Sequence, residues 1–105
     1  RRRIMIVYSV TVNIEDEVHD DWLQWMKETH IPDVMNTGFF SNYRILKVIS
    51  HQEEKDGTTY NIQYDCVSMA DLHKYQVQHA PKLQKEHNDR YENKFVAFRT
   101  LLEKA

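Results

Sequence analysis

Two His-x-Pro steps carry most of the chain's candidate chemistry. His30-Ile31-Pro32 and His79-Ala80-Pro81 each set an imidazole two residues ahead of a proline. The unperturbed pKa of histidine lies near neutrality, so either ring can serve as a general acid or base. Each has a plainer reading. His30 follows a helical pattern at its C-terminal end, where a protonated histidine simply complements the helix dipole. His79 sits among Leu72, Tyr75 and Leu83 on an apolar helix face, where histidines are commonly hydrogen-bonded core residues. Trp25, Tyr64, Tyr8 and Tyr75 can wall a ligand pocket around the two histidines, or can be core aromatics with their polar tips tied off. His30 and His79 are thus the candidate catalytic residues, and Trp25, Tyr64, Tyr8 and Tyr75 the candidate ligand-binding residues.

Other chemistries find less support. A metal site needs three or four convergent ligands. His73, His79 and His87 are six and eight residues apart, so only His79 and His87 can share a helix face, and no metal is expected. Arg99 can bind a carboxylate ligand or pair with Asp65 across a sheet, and the ion pair is the expectation. No cofactor motif is present, so no cofactor is expected and any oxidation would run without one.

Composition narrows the classes further. The chain has 105 residues and a net charge of −2. That length fits one domain, and a domain so short buries only roughly two-thirds of its unfolded surface. The near-neutral charge leaves no electrostatic footprint for nucleic acid or a membrane surface. No apolar run reaches the ~18 residues of a membrane span. The lone Cys66 excludes a disulfide framework and fits a reduced, cytoplasmic setting. Residues 1–4 are expected to be an upstream extension or a remnant, leaving a single domain over 5–105.

The elements that must position these residues follow from periodicity. Ile4–Ile14 alternates, with Ile6, Tyr8, Val10, Val12 and Ile14 on one face of a strand. Acidic residues 15–17 precede a helical spacing through Val18, Trp22, Trp25, Met26 and Thr29, which should end or kink near His30 because Ile31 precedes proline. Residues 33–36 can add a turn, closed by Gly38 as a left-handed cap. Phe39–Ser50 reads as a second strand, with Tyr43 and Ile45 on one face and Phe40, Leu46 and Val48 on the other. The Asp56-Gly57 step lies in a hairpin loop over 51–58, followed by a strand over Thr59–Val67. Ser68 opens a second helix through a capping-box variant. Pro81 should kink that helix, since its apolar spacing continues through His87 to Tyr91. A last strand starts near Asn93 or Lys94.

The order β-α-β-β-α-β identifies an α+β, ferredoxin-like sandwich. Strands one and three should lie centrally, with Ser9, Thr11, Asn13, Asn61, Gln63 and Asp65 on the face away from the helices. Strands two and four add apolar side chains to that face. On a chain short of core, this mixed face points to pairing with a second copy. Some RNA-binding domains share this order but stack bases on exposed aromatics beside a basic, Gly-rich strand. The third strand, TYNIQYDCV, has no Gly, Lys or Arg, so nucleic acid is not expected.

The whole stretch from Met5 to Leu102 resembles the dimeric α+β barrel superfamily and, within it, a bacterial family known only as a domain of unknown function. The resemblance is carried by Met5–Val10, Trp25 with Thr29-His30-Ile31-Pro32, Thr37-Gly38-Phe39, Tyr75 with His79-Ala80-Pro81, and Val96–Leu101. It implies a homodimer whose sheets face each other, with a ligand pocket between sheet and helices of each subunit. Superfamily members include monooxygenases, haem-degrading enzymes, lactone isomerases and stress-response proteins. The haem-degrading members use a strand-one asparagine, a strand-three tryptophan and a helix-two histidine. Here Asn13 lies on the polar face, strand three offers Tyr64 and no tryptophan, and only His73 or His79 matches in position. The expectation is therefore a small-molecule-binding protein or cofactor-free enzyme, with a non-catalytic dimeric scaffold or sensor as the alternative.

Overall fold

The computed structural model describes residues 5–50 and 56–105. The expected extension at 1–4 and most of the expected hairpin loop, 51–55, lie outside the described residues. Four strands form one antiparallel sheet in the order β2-β3-β1-β4, with β1 at Ile6–Ile14, β2 at Asn42–Lys47, β3 at Thr58–Cys66 and β4 at Phe95–Glu103. This is the ferredoxin-like α+β arrangement read from the sequence.

The sheet sorts side chains by parity. Tyr8 pairs with Tyr64 and Leu101, and Val10 pairs with Ile62 and Arg99, so all of these lie on the helix-covered face. Ile6, Tyr8, Val12, Ile14, Tyr60, Ile62, Tyr64 and Cys66 are buried there. On the other face Asn61 Nδ2 donates to Ser9 Oγ (2.8 Å) and Thr11 Oγ1 (3.1 Å), and Arg44 makes a two-pronged contact with Asp65. The expected polar central face is thus an internally bonded one, which is how it tolerates partial burial.

Two helical stretches cover the apolar face. The first runs through a 3-10 turn (Asp16–Val18), helix α1 (His19–Trp25), a π turn (Met26–His30) and helix α2 (Ile31–Met35). The break expected near His30 takes the form of this wide turn, and the helix continues past it. Proline has no N–H to give and its ring collides with the carbonyl four residues back. The wide turn relieves that conflict: the Ile31 N–H bonds to Met26 O, five residues back. Gly38 then turns the chain at φ +84°, as the sequence indicates.

The second stretch comprises α3 (Met69–Gln78) and α4 (Ala80–Arg90). Ser68 Oγ accepts from the Asp71 N–H at 3.1 Å, the expected N-cap. The kink expected from Pro81 falls at His79, whose φ of −126° lies outside the helical range.

Two expectations need correction. The second strand does not begin at Phe39 but at Asn42, and Phe40 does not join Leu46 and Val48 on the outer face. Phe40 is buried, stacked on Tyr8 (6.0 Å) and edge-on to Tyr75 (4.7 Å). A phenyl ring gains more from this aromatic cluster than from an exposed strand position. Cys66 is fully buried, its thiol near the carbonyls of Phe39 and Ser68.

Gly57, at φ +89°, is where the return from the hairpin passes close to β1. A Cβ there would run into the Ile14 carbonyl oxygen, whereas a Cβ on Gly38 would meet nothing. Gly57→Ala should therefore cost well over ~1 kcal/mol, combining positive-φ strain with a backbone clash, while Gly38→Ala should cost only the strain. Thermal melts followed by circular dichroism check this; equal losses in the two variants would remove the close-approach argument.

Candidate functional site

The site is a cavity between the helices and the β1–β4 side of the sheet. Its floor is Val10, Val12 and Ile62, with Phe95 and Ala97 from β4. His30 and Met26 close one side, Tyr64 and Tyr75 another, and Leu83, Gln84, His87 and Arg99 complete the lining. The internal volume is about 40 Å³, room for a few waters. A larger guest would sit partly in the mouth, where Arg99 is exposed.

The π turn places His30. In a regular helix, residues five apart point about 140° away from each other at 3.6 residues per turn. The wider turn brings them into line, and Trp25 and His30 stack at 5.1 Å with 28° between the planes. Trp25 therefore backs His30. It lies in an outer groove with Asp21, Gln24 and Arg90, not in the cavity. The Arg90 guanidinium caps its other neighbourhood, 5.4 Å from the ring.

His87 is the residue that sequence reasoning passed over as a site member. It is buried, and Trp22 Nε1 donates to its Nε2 at 2.9 Å. That bond makes Nε2 an acceptor, so the neutral ring carries its proton on Nδ1. His87 packs edge-on to Phe95 (4.5 Å) and to His30 (5.8 Å). The signal for it was the i, i+4 spacing Leu83, His87, Tyr91, all three buried.

Electrostatics follow from this packing. Burial pushes the His30 imidazole down to about 4, helped by His87 and the Arg99 charge. Burial likewise takes His87 down to about 4, against a hydrogen bond that the ring donates to the Asn88 side chain, which favours the charged form, and with Arg99 adding to the depression. Burial raises the Tyr64 and Tyr75 phenols well above their usual value, so both stay protonated donors. Near neutral pH the cavity lining therefore contains two neutral imidazoles, two neutral phenols and one cation. Among the described residues, the His30 ring makes no hydrogen bond.

The remaining candidates are placed as follows. Tyr64 and Tyr75 line the cavity. Tyr8 stands behind them and accepts from Arg99 Nε at 3.0 Å. His79 lies outside the cavity, packed against Phe39 (5.7 Å) in a separate groove with Asp33, Thr37 and Lys82. The helix break at His79 is what turns it there. Arg99 does not pair with Asp65: the two residues occupy opposite faces of the sheet, and Arg44 on the adjacent strand takes Asp65 at 2.9 Å. Among the described residues, no group of three or more His, Cys, Asp or Glu side chains is placed to hold a metal ion, and no helix is long and apolar enough to cross a membrane.

The two buried imidazoles link stability to pH. Their folded pKa values near 4 lie below the unfolded value near 6.5. Between these values the unfolded chain binds more protons, so unfolding free energy rises with pH across the window. This stability is fully present above about 6.5 and is lost as pH falls through about 4, on the order of a few kcal/mol for the pair. Urea unfolding between pH 4 and 7 should show the slope, and His30→Ala should flatten it. At pH 7, His87→Ala should cost about 1–3 kcal/mol more than His30→Ala, because it strands the buried Trp22 N–H. Equal costs, or an unchanged slope, would contradict the assigned roles.

Similar folds recur among solved structures. An EthD (ethyl tert-butyl ether d) family protein from Bacillus halodurans superposes with a TM-score of 0.70 at 8% identity, covering 95% of this chain and 99% of that one. A dimeric ferredoxin-like protein of unknown function from Jannaschia sp. gives 0.60 at 13% identity, over 91% and 97% of the two chains. SnoaB, a cofactor-independent oxygenase from Streptomyces nogalater, gives 0.60 at 10% identity, over 93% and 90%. At such identities the likeness speaks for the fold alone. The sequence matches no curated protein. The model of one family does match, over residues 5–105, and the chain belongs to it: Domain of unknown function (DUF4286).

Proposed function

We propose that this domain binds a small molecule in the cavity between helices and sheet, and that His30 exchanges a proton with that ligand without a cofactor. The observation that carries the reading is the state of His30. Its ring lines the cavity, is neutral near pH 7, and has no hydrogen-bond partner among the described residues. A neutral imidazole with an uncommitted ring nitrogen at the cavity is free to accept a proton from a guest. His87, by contrast, is committed to Trp22 and acts as a fixed wall. Tyr64 and Tyr75 offer phenolic donors, and the aliphatic floor lowers the local dielectric, which strengthens any polar contact made inside. The description of SnoaB as a cofactor-independent oxygenase supports the cofactor-free form of the reading, since it places such chemistry on this fold.

The proposal includes a homodimer formed through the open sheet face. Val96 and Phe98 are each 60% exposed there, with Leu46 and Leu102 nearly half exposed, and a face of that kind is covered in a stable protein. The Jannaschia protein, a dimer of similar fold, supports self-association. A reducing, cytoplasmic setting agrees with the buried free thiol of Cys66. The competing reading, a non-catalytic dimeric scaffold or sensor, draws its support from the small cavity volume and the tied-off His87.

Two measurements test the proposal. Trp25 stacks on His30, so titration with phenol as probe should quench tryptophan fluorescence saturably, and His30→Ala should weaken binding at least about tenfold while keeping its melting transition. A wild-type protein that shows no saturation supports the scaffold instead. Sedimentation should give a dimer for wild type and a monomer for Phe98→Glu; a monomeric wild type ends the dimer reading.

A further inference from the structure

The described residues contain three arginines, and they are not treated alike. Arg44 is paired with Asp65 at 2.9 Å, and Arg90 with Asp21 at 3.4 Å. Arg99 has no carboxylate partner among the described residues. Its one hydrogen bond runs from Nε to Tyr8 Oη at 3.0 Å. That contact holds the guanidinium at the cavity and leaves its terminal Nη groups uncommitted.

The surroundings make this arrangement informative. Among the described residues, no Asp, Glu or Lys lines the cavity, and the remaining walls are aliphatic, aromatic or neutral polar. Among the described residues, Arg99 is therefore the single formal charge at the site near neutral pH. Its charge reaches inward, since it contributes to the depression of both His30 and His87 and opposes the rise of Tyr75. A lone cation beside a largely apolar cavity is matched by a guest with one negative charge on an apolar body.

We propose that the guest is a small organic monoanion, a carboxylate on a flat apolar body, with Arg99 holding the charged oxygens at the mouth and the body entering towards His30. This assignment rests on the reading of the cavity as a small-molecule site. Tyr8 is then a positioning residue, which fixes the guanidinium without touching the guest. A cationic guest would face Arg99 directly, and a dianion would leave one charge unmatched against aliphatic walls.

The test uses three probes of one shape: benzoate, benzamide and benzylamine, titrated calorimetrically into the full chain at pH 7. Benzoate should bind at least about tenfold tighter than benzamide, the scale expected of a charge-assisted pair, and benzylamine should not bind. Arg99→Gln should bring benzoate down to within about twofold of the affinity of benzamide for the same variant; Arg99→Lys should recover part of the preference. Ala97→Phe, which fills the cavity floor, should abolish binding of both, with its melting curve confirming that it folds. Benzoate and benzamide binding equally, and both blocked by Ala97→Phe, would overturn the anion assignment while leaving the cavity reading in place. Binding of neither probe would overturn both. A benzoate preference that persists in Arg99→Gln would place the anion elsewhere and defeat the proposal.

Discussion

The hydrogen bond from Trp22 Nε1 to His87 Nε2 is the contact on which the site depends. It joins the two helical stretches across 65 residues of sequence, between side chains that are both buried. Losing it would strand an indole donor in a dry interior, a large penalty on the scale of a small domain's stability. It also decides an electronic question. By using Nε2 as an acceptor it holds His87 in one neutral form, so the wall next to His30 brings no charge and no mobile proton. The polar character of the cavity is then set by His30 and Arg99, with the Tyr64 and Tyr75 phenols as neutral donors.

The sheet contributes a second constraint, which is parity. Residues one apart in a strand face opposite ways, so a single register fixes which charges meet. Asp65, Gln63 and Arg44 share the open face and satisfy one another there. Arg99, aligned with Val10, is carried to the covered face, where its neighbours are a tyrosine hydroxyl and apolar side chains. The same alternation that makes the open face a bonded polar strip with apolar flanks leaves one cation on the ligand side.

Much of this was legible in the residue order, and the exceptions have physical causes. The alternation of β1 and β3, the Ser68 cap and the Gly38 turn are local signals, and local signals survive folding. So does the placement of His30 at the helix break, because proline forces some break there. His87 was hard to see because it stands in the charged run Lys85–Arg90, which reads as solvent-facing, and its partner is remote in sequence. Arg99 was assigned to the wrong partner because β4 is apolar on both faces, so its pattern does not reveal which side is covered. Phe40 was misplaced because strand propensity extends past the point where the ladder begins. His79 looked equivalent to His30 by motif, yet one break is a wide helical turn and the other a residue in non-helical backbone, so the two imidazoles leave their helices in different directions.

The wide turn at Met26–His30 has a consequence for comparing this chain with others. It accommodates one more residue than an α-helical turn over the same rise. A relative whose helix is α throughout would have one position fewer between the residue matching Trp25 and the residue matching Pro32. Matched residue for residue from the N-terminal side, such a helix sets its own cavity-facing position against Thr29 rather than His30. The equivalent of His30 in those proteins is then found one column away from where an ungapped alignment points. An imidazole can be conserved in space and still look absent in sequence, with the turn itself recording the inserted residue.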